Sequence, residues 1–477
     1  MIVSGSISNI GQLGAQPEIT GGMYPRIARP AMETLWNYDN DERIVPKLAE
    51  SVDVSPDGKG MTIKIRKGVK FQDGTPWNAQ ALVDNLQMIK DSTVNAAIAK
   101  SIYANVTGWQ VVDEYTVKVN FSTFDAKFQT SMAERSMISP TAFNKPTTAE
   151  NMAKDHMIGT GPFLFSSYQR AMFVKYTPKN SSYWQTGKPY VDSIEINEIA
   201  DAVTALLSFK KGEANLIFGI TPKDIASLKA EGFDILYSSA KMINYLLPDG
   251  ANKDSPWSNL KVRQAAEYAL DKKALASLGS GLYEPVSQFA NPGDAKYVPT
   301  LMPRNYDVSK AKQLLTEAGY PTGLKTTLVA ATNYNREMLV AIQTYLKEAG
   351  IDAALEVVDT ARNSEIRLKG WNGLLCVGVP MVGTLNSFFT SLGPSFYPSM
   401  YRGTWDQKTA AAVAEPDYDK RIALMREMIK VLYDDEMAIP LWAAPDISAV
   451  AKNVKGDLGW MIGHPNFWEP QNIWLSK

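Results

Sequence analysis

Apolar and polar positions alternate in MTIKIR (61–66) and again in YTVKVNF (115–121), the period of a half-buried strand. Between them Asn78 stands where an N-cap belongs, ahead of the helical pattern AQALVDNLQMIK. VDSIEINEI (191–199) predicts a further strand; Asp201 then caps AVTALLSFKK, which Gly212 stops. Pro222 opens PKDIASLKAE, ended by Gly232. The second half repeats this grammar. SKAKQLLTEA runs to Gly319, KTTLVAA (325–331) predicts a strand, and NREMLVAIQTYLKEA runs to Gly350. A strand over 354–358, a short helix ending at Gly370 and the apolar strand LLCVGV (374–379) follow. DYDKRIALMREMIKVLYDD is a long amphipathic helix. Strand and helix in alternation predict α/β units with largely parallel sheets. No short-period repeat or low-complexity tract interrupts the pattern. The polar, turn-rich PDGANKDSPWSN (248–259) separates two α/β halves and predicts a domain crossing near it.

One stretch breaks the mixture of charge: residues 370–401 carry no charged side chain and no histidine, in a chain that is 21% charged. Gly378, Pro380, Gly383, Pro394 and Pro398 punctuate it, so it is no membrane span. Its place predicts a buried strand over 374–379 and a loop over 380–386 at the strand's carboxyl end, where ligand sites gather in α/β lobes.

With 477 residues the chain exceeds one ordinary core and implies two or three domains. The net charge of −1 gives neither the clustered positive charge of a nucleic-acid groove nor a polybasic membrane patch. Cys376 is the single cysteine, so no intramolecular disulfide can form; in its apolar setting it reads as a small buried hydrophobe. The start, MIVSGSISN, lacks the basic and apolar regions of a signal peptide.

No catalytic constellation can be assembled. The two histidines, His156 and His464, are far apart and in no metal-ligand spacing, and there is neither a GxSxG elbow nor a phosphate loop. GTGPF (159–163) is glycine-rich without dinucleotide spacing. Two distant carboxylates could still meet, which keeps a hydrolase open as the alternative to a binding protein. The 11 Trp and 21 Tyr suit a protein that encloses a small ligand.

RIVPKLAESVDVSPDGKGMTIKIRKGVKFQDGTPWNAQALVDNL (43–86) resembles the signature region of the family 5 extracellular solute-binding proteins, the dipeptide-, oligopeptide- and nickel-binding components of bacterial ABC importers. GTGPFLFSSYQR (159–170), NSSYWQTGKPYVDSIEI (180–196), NLKVRQAAEYALDKKAL (259–275), YDVSKAKQLLTEAGY (306–320) and AIPLWAAPDISAVAKNVKG (438–456) fit the same family, in order, over nearly the whole chain. The resemblance implies an α/β, two-lobed periplasmic-binding-protein fold of class II with an extra subdomain and a ligand cleft between the lobes. Lobe I would comprise 1–247, with the extra subdomain over about 31–155, and receive 444–477 back; lobe II would span 248–443. It also implies a monomer without cofactor or bound metal. Such a receptor captures a small ligand by hinge closure and delivers it to a membrane ABC permease. The expected location is extracytoplasmic, in the periplasm or on a lipid anchor, with the leader already removed.

Peptide-binding relatives hold the ligand's amino terminus with an aspartate after the strand equivalent to 374–379. Here Pro380, Met381, Val382, Gly383, Thr384, Leu385 and Asn386 follow, none acidic. An ammonium desolvated without a carboxylate is costly, so the ligand is expected not to be an ordinary peptide held in that way. Two readings stay open: an anionic or neutral small molecule such as a nickel chelate or metallophore, and a peptide bound in a non-standard manner. Arg135 lies near the position of a carboxylate-holding arginine of nickel-binding relatives, and Arg26 and Arg29 fall in a segment that approaches the cleft in the family. The remaining expected ligand contacts are Tyr24, Tyr245, Trp371 and Met381, with Thr384, Asn386, Phe388, Tyr401 and Trp405.

Overall fold

A computed structural model describes the chain except for residues 6–26, 40–42, 92–95, 149–150, 170–171, 180–182, 333, 381–391, 457, 459–467 and 477. It divides into two compact units: Met1–Ser239 with Ala414–Pro416 and Asp446–Lys477, and Ala240–Val413 with Asp417–Pro445. The chain leaves the first unit within the strand Asp234–Pro248 and returns to it within the strand Ile439–Val450. The polar stretch 248–259 comes directly after the first of these passages.

In the first unit Ile2–Gly5 lies between Leu216–Phe218 and Ile194–Glu198, parallel to both. Phe173–Pro178 and Phe163–Gln169 extend the sheet on one side, and residues 448–450 pair with Leu216–Phe218 on the other, all antiparallel. Val3, Phe163, Tyr176, Ile194, Ile196, Leu216 and Trp468 build the core below it. The same unit holds a four-stranded antiparallel sheet in the order Ala49–Val54, Gly60–Ile65, Thr116–Phe121, Val106–Asp113. The helix Ala79–Lys90 runs beside that sheet, and Asn78 caps it by accepting from the Ala81 amide.

The second unit orders its strands Ile351–Val358, Leu324–Ala331, Leu374–Pro380, then the part of Asp234–Pro248 from residue 242 onward. The first three are parallel and the last antiparallel. The helices Leu260–Ala269, Val308–Glu317 and Arg336–Glu348 supply Val262, Ala266, Leu315, Leu339, Ile342 and Leu346 to a core completed by Leu246, Leu328, Leu374 and Cys376. Gly319 and Gly350 take positive φ past the ends of the latter two helices, as their positions in the sequence required.

The sheets are thus mixed rather than largely parallel. Phe163–Gln169 and Phe173–Pro178 are joined by three residues, too few for a crossover, so they pair as a hairpin. In the second unit the strand that brings the chain in runs against the three parallel strands.

Candidate functional site

Tyr245 lies on the strand Asp234–Pro248 in register with Val377, so their side chains share one face of the second unit's sheet. Leu246 and Cys376, the next register pair, face the apolar core instead. Tyr245 is wholly buried and meets Phe289 edge-on at 5.0 Å. Burial, then the neighbouring Tyr397 and Tyr334, push its phenol far above the ordinary range, so it stays neutral. Trp371 packs edge-on to Tyr397, centroids 6.1 Å apart, and its indole N–H donates to the Leu247 carbonyl at 3.0 Å.

The helix Thr360–Lys369 contributes to the same neighbourhood. Asp359 caps it, accepting from the Arg362 amide. On its exposed side Glu365 pairs with Arg362 at 2.7 Å and Lys369 at 2.9 Å. Arg367 points elsewhere: its guanidinium carbon lies 5.6 Å from the centre of the Phe396 ring and 5.9 Å from that of Tyr397. Arg367, Asn363, Tyr334 and Tyr397 were not singled out in the sequence. The available signal was the four-residue spacing of Asn363 and Arg367, which places both on one helix face.

Of the remaining expected contacts of this unit, Tyr401 and Trp405 are among the described residues. Tyr401, half-buried, stacks under the Arg263 guanidinium at 4.6 Å. Arg263 itself is buried and donates to the carbonyls of Trp257 at 2.7 Å, Ser258 at 2.9 Å and Asp435 at 2.8 Å. Trp405 is fully buried at the start of the helix Trp405–Ala414. Met381, Thr384, Asn386 and Phe388 lie outside the described residues, as do Tyr24 and Arg26.

In the first unit Arg135 is 1% exposed and follows the helix Ala126–Met132. Arg29 is buried too, donating to Thr34 Oγ1 at 3.0 Å, Asn37 Oδ1 at 3.3 Å and the Ala133 carbonyl at 3.3 Å. Burial pulls its pKa down to about 10, against the charges of Glu469, Glu33 and Glu134, so it remains protonated. Glu33, also unnoticed in the sequence, accepts from Thr160 Oγ1 at 2.8 Å, Tyr183 Oη at 2.9 Å and Trp184 Nε1 at 2.9 Å. Arg66 stacks over the Trp184 ring at 4.6 Å. No cluster of three or more His, Cys, Asp or Glu side chains that could hold a metal occurs among the described residues. None of their helices is long and apolar enough to cross a membrane.

The family model of bacterial extracellular solute-binding proteins, family 5 middle region, matches residues 43–397. The chain belongs to that family. Family 5 proteins are the extracytoplasmic receptors of ABC importers, which hand a captured solute to a membrane permease, and this chain is such a receptor. The glutathione-binding protein GsiB of Salmonella choleraesuis is 31% identical over 453 residues, covering 90% of this chain and 86% of that protein. Relatives of this kind are transport-binding proteins, not enzymes. Among solved structures, NikA from Brucella suis in complex with Fe(III)-EDTA has TM-score 0.86 and 21% identity, covering all of both chains. DppA from Helicobacter pylori in complex with the peptide STSA has TM-score 0.81 and 22% identity, covering 100% of this chain and 98% of that one. The solute-binding protein therefore has the two-lobed α/β fold of periplasmic binding proteins.

Within this family 5 chain the motifs that carried the resemblance serve the fold. Thr160 of GTGPF, Tyr183 and Trp184 of NSSYW, and Arg66 of TIKIR meet at or beside Glu33. Arg263 of KVRQA ties its own helix to the Asp435 carbonyl at the end of the helix Tyr418–Asp434.

Proposed function

We propose that this receptor captures a small, peptide-sized solute through the solute's carboxylates and releases it unchanged to the permease. The observation that carries this reading is the uncharged run 370–401, which starts beside Arg367 and includes the strand Leu374–Pro380. With no acid in it, a ligand ammonium finds no countercharge there, whereas acceptor groups meet none that repel them. The kinship with glutathione-binding proteins supports a ligand of that size and carboxylate content. Arg135 is a second candidate carboxylate partner, from the first unit. The protein acts as a monomer outside the cytoplasm, and binding is accompanied by lobe closure.

Native mass spectrometry tests this. The protein is incubated with reduced glutathione, peptides of two to five residues, and Fe(III)-EDTA. One equivalent of an unmodified, carboxylate-bearing compound on a monomer is the expected result. Turnover of any of them, or capture of uncharged analogues in preference to the acids, would sink the reading.

A further inference from the structure

We propose that Arg367, Asn363 and Tyr245 form a subsite in the second unit that receives a carboxylate of the captured solute. This inference rests on the solute-receptor reading above and assigns it particular atoms. Arg367 Nε and Asn363 Nδ2 are buried without a hydrogen-bond partner, and the buried Tyr245 hydroxyl meets only the Tyr397 phenol. Buried polar atoms are almost always paired, and leaving one unpaired costs about 1–3 kcal/mol, more where charge is involved. Two such donors one helical turn apart, beside the Tyr245–Tyr397 phenol pair, therefore point to a missing partner.

Their arrangement says what the partner is. Asn363 and Arg367 lie one turn apart on one helix face. Tyr397 bridges them to the sheet: its ring is 5.9 Å from the Arg367 guanidinium carbon and it adjoins the Tyr245 phenol. The guanidinium and the amide N–H can only donate, and the phenol, held neutral, can donate as well. The partner must accept from all of them. Nearby acids are engaged: Glu365 binds Arg362 and Lys369, and Asp359 caps the helix. Residues 370–401 offer no other. A single guanidinium beside the rings of Phe396 and Tyr397 balances one negative charge. That matches a planar carboxylate, whose two oxygens fit the guanidinium fork, better than a dianionic phosphate.

The test uses the full chain and the variants Arg367→Gln, Arg367→Lys and Tyr245→Phe, each checked for an unchanged melting temperature. The probes are reduced glutathione and trialanine, each as the free acid and as the ethyl ester, with binding read by calorimetry. The wild type should prefer the acids at least about 10-fold. Arg367→Gln should weaken acid binding about 10–100-fold while leaving ester binding unchanged, as expected for hydrogen bonds to a charged group. Arg367→Lys should recover part of the loss, because it keeps the charge without the fork. Tyr245→Phe should cost about 2–10-fold. Equal binding of acids and esters by the wild type, or an Arg367→Gln variant that keeps full acid affinity, overturns the subsite and leaves the receptor reading standing. A wild type that binds none of the probes at millimolar concentration overturns the small-peptide reading itself, and the subsite with it.

Discussion

Glu33 shows how much a single carboxylate can organise. It accepts from a hydroxyl of one motif and from a phenol and an indole of another, all drawn from distant parts of the sequence. Burial and then Glu33 push the Tyr183 phenol above its ordinary range, so it remains a donor. Glu33→Ala leaves the buried Thr160 and Tyr183 hydroxyls and the half-buried Trp184 indole without an acceptor and should destabilise the protein by about 2–3 kcal/mol. A lowered denaturant midpoint at unchanged slope would show it. A second buried group lies around Glu267, which accepts from Lys272 at 2.5 Å and Arg304 at 2.7 Å; Arg304 also pairs with Glu436. Burial opposes ionisation of Glu267, but Lys272, the Glu436 hydrogen bond and Arg304 outweigh it and hold its pKa at about 2. Burial and the Glu267 charge drive Glu436 the other way, well above the usual carboxylate range. The signs differ. Glu267 contributes stability above its unfolded pKa near 4.3 that fades as pH falls toward 2, whereas the Glu436 contribution is complete below that unfolded value and lost as pH rises. Glu436→Gln keeps a neutral donor and acceptor there. Its melting temperature should exceed that of the wild type at neutral pH and converge with it below about pH 4; a constant difference across pH would contradict the assignment. None of this was legible in the sequence, because Glu33 and Glu436 look like any surface acid until their distant partners are known.

At the scale of elements the sequence was far more readable. Asn78, Asp201 and the glycines at 212, 232, 319, 350 and 370 mark helix ends through local backbone chemistry, and the structure has them there. What resisted reading was pairing direction, which depends on which strands meet rather than on their own residues. GTGPF, unhelpful as a dinucleotide motif, acquires a plain physical role. Its Gly161 amide donates to the Ala31 carbonyl at 3.0 Å, and Gln72 Nε2 donates to the carbonyls of Ala31, Gly161 and Phe163. A Cβ on Gly161 would lie 2.5 Å from the Ala31 carbonyl carbon, and one on Gly159 would lie 2.4 Å from the Ala31 oxygen. Neither backbone can yield cheaply, so Gly161→Ala should cost about 1–3 kcal/mol, measured as a drop in thermal midpoint. A variant as stable as the wild type would mean that the segment 30–32 shifts freely.

For the whole molecule, the ordered motifs announced the family, while the proposed carboxylate subsite stayed out of reach because the helix spacing of Asn363 and Arg367 is common in proteins that bind nothing. If binding closes the lobes, small-angle scattering with saturating ligand should give a smaller radius of gyration than without it; equal radii would exclude hinge closure. The order of the two units along the chain has a consequence for synthesis. Residues 216–218 pair with Ile2–Gly5 on one side but find their second strand partner only at 448–450, and Asn37 meets Glu469, 432 positions downstream. A polypeptide emerging from its amino end therefore carries an unfinished first unit while the whole of the second is being made. Chains cut short just before residue 446 hold nearly all of the second unit but lack the last sheet partner of the first. Proofreading by proteases would then fall on the half that was begun earliest.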